Sequence, residues 1–305
     1  MFYLPWTIFL AELREKKVRN KILAVLLLLV MLNMSFVVAI YAVDPVEQSK
    51  GGFNVQKSEI ERGKPTGGGG SKPSGGIATG TLGATGGKQY AIIIGISDYS
   101  GTKNDLQYCD DDALDFQSAL PTSYRITLLT NSAANRQNIL DAIASVRLQA
   151  KPGDEVIFFY SGHGSTGSNI ADGDSERKDE CIIPYECTWE SLLWDGELAT
   201  AFSGFTCRIM FYFDSCYAGG MTELAGPNRL ICMACGESQL SLESQAWQNG
   251  QFTYYFVDQG MLQKKADTNG MDGVVTFEEA FDYARANCLK QTPVASDGFQ
   301  YDMLP

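Results

Sequence analysis

The chain contains a single histidine, His163, in Phe158-Phe159-Tyr160-Ser161-Gly162-His163-Gly164. A thiol, Cys216, follows 53 residues later in Asp214-Ser215-Cys216-Tyr217-Ala218-Gly219-Gly220. An imidazole and a thiol are the pair that thiol-based acyl transfer needs. The thiolate attacks a carbonyl carbon, and the imidazole carries the proton to the leaving amine. Both residues enter glycine-rich turns, so the backbone N–H groups of Gly164 and Cys216 can point at a developing oxyanion. Taken singly, each has a plain reading as a buried core thiol or a turn residue. Two such residues, each at the end of an apolar run, favour the chemical one.

Those runs are elements that must place the pair. Residues 155–160 and 208–213 read as strands apolar on both faces, as do 90–95, 125–130 and 230–234. Between the first two in chain order, Leu106, Cys109, Ala113, Phe116 and Leu120 form one helical stripe, with Asp110, Asp111, Asp112 and Asp115 largely off it; Pro121 ends the helix. Asn135 caps a second helix that turns Ile139, Ile143 and Val146 inward. Helices at 252–262 and 276–288 close the series, while 291–305 shows only a weak pattern. Strand and helix alternating in this way predict an α/β fold, a mostly parallel central sheet with helices on both faces. Ligands on such sheets bind beyond the carboxyl ends of the strands, where both reactive residues fall.

With those residues in view, the chain resembles the caspase-like cysteine peptidases, and within them the metacaspases. Tyr160-Ser161-Gly162-His163-Gly164 is similar to the family's histidine motif, and Asp214-Ser215-Cys216-Tyr217-Ala218-Gly219 to its cysteine motif. Ile94-Gly95-Ile96-Ser97-Asp98-Tyr99, with Leu106 and Cys109-Asp110-Asp111-Asp112-Ala113, resembles the opening strand, loop and helix. The likeness spans roughly 88–290. It implies a caspase-like three-layer sandwich around a six-stranded sheet, and peptide-bond hydrolysis through an acyl-enzyme on Cys216 with His163 as acid/base. It further implies an acidic primary pocket for Arg or Lys, matched here by Asp112, Ser161 and Asp214. Two converging carboxylates suit a guanidinium or ammonium. A pocket for Asp would need clustered Arg, and none lies within these motifs.

The resemblance also implies calcium as an activator, with no cofactor required for the chemistry itself. Asp172, Asp174, Glu176, Asp179 and Glu180 fit a hard-cation loop by composition, although the loop is short and Arg177-Lys178 interrupts it. That dibasic pair would suit self-cleavage. A second cluster resembles a damaged EF-hand loop, with Asp267, Asn269, Asp272 and Glu278 as ligands. Its glycine is one place late, Met271 occupies a ligand position, and Thr276 to Glu279 reads equally well as a capping box.

Residues 1–50 form the first expected segment, a signal peptide or membrane anchor with its flanks. Within it 22–43 is uncharged and apolar behind the basic stretch 14–21. Twenty-two residues at 1.5 Å each would cross a core of roughly 30 Å. Residues 51–88 hold 13 glycines and no hydrophobic periodicity, a flexible linker. Residues 89–305 form the peptidase domain, with 13 Lys/Arg against 30 Asp/Glu. That balance argues against nucleic acid and suits basic protein or peptide substrates. The location expected is secreted or membrane-anchored, with the domain outside the cytoplasm. Eight cysteines read as buried small hydrophobes rather than a disulfide framework, and Cys232-Met233-Ala234-Cys235 sits in a strand, which disfavours a redox role. Two other functions stay open: a legumain-like peptidase selecting Asn or Asp, and a non-catalytic calcium-binding module.

Overall fold

Each of the five expected strands is present in the computed structural model, which describes residues 47–50, 86–168, 170, 172, 178–268 and 271–305. The apolar segment 22–43, most of the Gly-rich linker, and Asp174, Glu176, Arg177 and Asn269 lie outside the described residues. Along the chain come β1 (Glu47–Ser49), β2 (Gln89–Gly95), α1 (Cys109–Ala119), β3 (Tyr124–Thr130), α2 (Arg136–Gln149) and β4 (Glu155–Ser161). Then follow β5 (Gly164–Ser168), β6 (Lys178–Ile182), β7 (Leu193–Trp194), α3 (Asp195–Phe202), β8 (Arg208–Asp214), β9 (Arg229–Met233), β10 (Leu242–Ser244) and β11 (Asn249–Gly250). A helical turn, α4 (Gln251–Thr253), runs on as a π-helix (Tyr254–Leu262), and α5 (Phe277–Asn287) and β12 (Val294–Asp297) complete the series.

The central sheet has the order β12-β9-β8-β4-β2-β3, parallel except for β12, which pairs antiparallel with β9. Its inner strands are apolar on both faces because helices cover both. Along β4, Val156, Phe158 and Tyr160 enter one core layer, while Ile157 and Phe159 enter the other. The same alternation runs through β8, with Ile209, Phe211 and Phe213 opposite Met210 and Tyr212. One layer receives Ile139, Ile143 and Val146 from α2 and Leu198 from α3; the other receives Phe116 from α1 and Phe277 and Phe281 from α5. Asn135 caps α2 by accepting from the Asn138 N–H, and Thr276 with Glu279 forms the capping box of α5.

Two features escaped the sequence pattern. The sixth strand, β12, is an edge whose four residues are all half-buried, so no alternation marks it. The small antiparallel sheet β5-β6-β7 opens with Gly-Ser-Thr-Gly-Ser, which has no apolar face to read. Among the described residues no helix is long and apolar enough to cross a membrane. All eight cysteines are free thiols.

Candidate active site

Register places the reactive pair. β4 and β8 are parallel neighbours with Ser161 opposite Asp214, so His163 and Cys216 each lie two residues beyond paired positions. Two phenols fix the histidine backbone: its N–H donates to Tyr99 Oη at 2.8 Å, and Tyr160 Oη donates to its carbonyl at 2.7 Å. The Tyr99 ring also packs against the imidazole, with centroids 4.9 Å apart. Gly164 opens β5 against Cys216, and a Cβ there would lie 2.1 Å from the Cys216 carbonyl oxygen. That close approach requires glycine. On the far side of the thiol, the Ser241 N–H donates to Cys216 Sγ at 3.2 Å.

Asp112, Ser161 and Asp214, from α1, β4 and β8, converge on one point. What occupies it is Lys50, a residue of the expected anchor flank. Its ammonium lies 3.1 Å from Asp112 Oδ2, 3.0 Å from Asp214 Oδ1 and 2.9 Å from Ser161 Oγ. Lys50 and both carboxylates are fully buried. Asp112 was expected off the helix's apolar stripe, as it is, but it faces this pocket rather than solvent. Asp214 is held by the Ser241 hydroxyl at 2.6 Å and by the Thr253 N–H and hydroxyl at the end of α4. Gly250 forms the floor, and its N–H donates to Asp112 Oδ1 at 2.8 Å.

Two carboxylates face one ammonium. Burial alone would strip Lys50 of its proton, but Asp112 and Asp214 together override it and hold the ammonium well above its ordinary value. One cation cannot fully compensate two acids. Burial, only partly offset by Lys50 and reinforced by Asp214, pushes Asp112 up to about 7.

β1 pairs antiparallel with β10, with Glu47 opposite Ser244 and Ser49 opposite Leu242. The Lys50 N–H continues the ladder to the Ser241 carbonyl at 3.0 Å. The Lys50 carbonyl then meets His163 Nδ1 at 2.7 Å, and His163 Nε2 lies 2.8 Å from the Asn104 carbonyl. Both partners are acceptors, so only the doubly protonated ring satisfies both. Burial nevertheless lowers the His163 pKa, outweighing those two carbonyls. A neutral ring can donate to only one of the two carbonyls, whereas a protonated ring satisfies both.

The calcium candidates separate. Asp172 and Asp179 come together with Asp195 at the start of α3, with a carboxylate oxygen from each within 4.8 Å of the others. Asp172 Oδ1 is buried without a hydrogen-bond partner. Burial pushes Asp195 up to about 8, against hydrogen bonds from the Glu180 and Gly196 N–H groups and with Asp172 adding repulsion. An all-carboxylate set of this kind, with Asp179 and Asp195 buried and Asp172 half-buried, fits a hard cation. Glu180 pairs with Lys178 at 3.0 Å and packs on Gly220. Lys178 is itself a strand residue, not part of an exposed loop, and its ammonium also reaches the Glu237 carbonyl. The second cluster does not assemble among the described residues. Asp267 accepts from the Gly273 N–H and Asp272 from the Val274 N–H, both local turns, while buried Glu278 accepts from the Met303 N–H.

Lys50, Ser241, Gly250, Asn104 and Asp195 carried no motif. Lys50 reads as tail and Asp195 lies 15 residues beyond the acidic loop, so only the folded chain joins them to the site.

The caspase-domain model of the C14 peptidases matches residues 88–297. Metacaspase-1 of Schizosaccharomyces pombe is 32% identical over 154 residues, covering 45% of this chain and 36% of the relative. Metacaspase-1 of Plasmodium falciparum is 31% identical over 151 residues, covering 44% and 24% respectively. The chain thus spans only about a third or less of the length of these relatives. In fold it is similar to the crystal structure of protein GSU0716 from Geobacter sulfurreducens, with a TM-score of 0.55 and 21% identity over 70% of this chain and 95% of the other.

Proposed function

Because this chain belongs to the caspase-domain family of the C14 peptidases, we propose that it is a cysteine endopeptidase that cuts peptide bonds after Lys or Arg. One observation carries the specificity: a Lys ammonium already sits between Asp112 and Asp214, and the carbonyl of the same residue meets His163 Nδ1. An Asn or Asp side chain would leave those buried carboxylates facing a neutral or like-charged group, which costs far more than it returns.

Neutral His163 takes the Cys216 proton, and the Ser241 N–H is a ready partner for the resulting thiolate. Attack on the substrate carbonyl carbon yields a tetrahedral oxyanion, for which the N–H groups of Gly164 and Cys216 serve as donors. The imidazolium then protonates the leaving amine, and water hydrolyses the thioester to regenerate the thiol.

A divalent cation would be held by Asp172, Asp179 and Asp195, away from the reacting atoms. It would neutralise three clustered carboxylates and tie the acidic loop to α3; calcium suits that oxygen donor set. The apolar segment 22–43 supports export or anchoring, with the domain outside the cytoplasm. Fluorogenic peptides ending in Arg, Lys, Asn or Asp, assayed with calcium or a chelator, test this reading. Hydrolysis of only the Arg and Lys reporters, lost in C216A and made calcium-insensitive in D195N, is expected. Turnover confined to Asn or Asp reporters would overturn the pocket assignment.

A further inference from the structure

Glu243 is a buried acid outside every motif and every step described so far. It lies at the centre of β10 with no exposed surface, and both its oxygens face the start of α1. Oε1 accepts the Gln107 N–H at 2.9 Å; Oε2 accepts the Tyr108 N–H at 3.1 Å and the Cys109 thiol at 3.8 Å. Tyr108 is the N-cap of α1, and its side chain makes no capping bond. The entry to the helix that carries Asp112 is therefore held by a carboxylate 135 positions away, where a negative charge also suits the helix dipole.

Two short paths run from Glu243 to the pocket. The Tyr108 carbonyl accepts the Asp112 N–H at 2.8 Å, so the residue that Glu243 grips also fixes the backbone of Asp112. Glu243 further pairs with Gly250 across β10 and β11, and the Gly250 N–H donates to Asp112 Oδ1. We propose that Glu243 is a positioning residue that sets the pocket's selectivity for positive side chains. It fixes the helix that presents Asp112 and adds a third negative charge to the two that meet the cation. The proposal rests on the peptidase reading above and deepens its account of the pocket.

Capping alone does not call for this charge in so buried a place. Burial raises the Glu243 pKa, against the Lys50 ammonium and the Tyr108 and Gln107 N–H groups, and Asp214 adds repulsion. Burial lowers the Lys50 ammonium in turn, while Asp112, Asp214, Cys109 and Glu243, in that order, raise it. Three buried acids repel one another when the pocket holds a neutral side chain, and a cation compensates them. Glutamate at this position thus penalises neutral occupants. Glutamine has the same length but no charge and a single acceptor oxygen.

The full-length chain carrying Lys50→Ala, purified in detergent with calcium, tests this without a lysine of its own competing for the pocket. Its reporters end in Arg or in citrulline, the neutral isostere of Arg. Adding Glu243→Gln should lower the Arg-over-citrulline ratio of kcat/KM about 10-fold, chiefly through KM for Arg. Glu243→Asp keeps the charge and should retain most of that ratio, while its shorter reach raises KM for Arg at unchanged kcat. Phe159→Ala weakens the fold away from the pocket and should leave the ratio alone. In an Asp112→Asn background Glu243→Gln should have less than its full effect, because part of that effect passes through Asp112. An unchanged ratio in Glu243→Gln, or an unchanged KM in Glu243→Asp where the glutamine variant does not fold, would overturn the proposal and leave the peptidase reading standing. Strict additivity with Asp112→Asn would overturn the positioning role. A parent chain inert toward every reporter would overturn both the proposal and the reading beneath it.

Discussion

At Gly250 an added methyl carbon would lie 2.5 Å from the Lys50 ammonium nitrogen and 2.3 Å from Asp214 Oδ2. The backbone there has φ −61° and ψ 144°, which alanine adopts without strain. Gly250→Ala therefore adds no backbone strain and acts by crowding the pocket and its Asp214 carboxylate. It should raise KM for Arg and Lys reporters roughly 10-fold or more while kcat falls less, as initial-rate kinetics would show. The pocket's charge gives a second expectation. Burial raises Asp112 to about 7, so protonation on lowering the pH through that value leaves the incoming cation one carboxylate fewer. A reporter must displace Lys50, whose charge holds Asp112 down, so the kcat/KM for Arg reporters should still be climbing as the pH rises above 7, and Asp112→Asn should flatten that limb. A steep limb unchanged in the variant would assign it to another group.

Among the elements, β4 and β8 carry the site because their aromatic faces lock them side by side. Phe159 stacks on Phe116 at 4.5 Å and on Tyr212 at 4.6 Å, joining α1, β4 and β8 in one cluster. Phe159→Ala should cost about 3–5 kcal/mol, read as a lower urea midpoint, with activity lost in proportion to the folded fraction. These strands were legible in the sequence for the same reason that they are stable: runs apolar on both faces, each leading into a glycine-containing turn that carries His163 or Cys216. The edges were not legible. β12 is half-buried throughout, and β5 is built from Gly, Ser and Thr, so neither leaves a periodic trace. Asp112, Ser161 and Asp214 were found through motif likeness. Asp195 and Gly250 were invisible because their roles arise from tertiary approach, Asp195 to Asp172 and Gly250 to a lysine 200 positions earlier.

Across the whole molecule, segments that looked like separate parts share one mechanism. The flank of the apolar stretch supplies a strand and a pocket occupant, and the acidic body adds a field that, on the proposed reading, would favour cationic substrates. The proposal that unites them is a nucleophile, Cys216, near a pocket that selects a positive side chain. The most direct test is covalent labelling of the purified enzyme with acyloxymethyl ketone peptides ending in Arg, Asn or Asp, mapped by peptide mass. The arrangement predicts modification by the Arg probe at Cys216 alone among eight free thiols, with the Asn and Asp probes slower by about 100-fold or more. Labelling of a different cysteine, or equal labelling of Cys216 by all three probes, would contradict it.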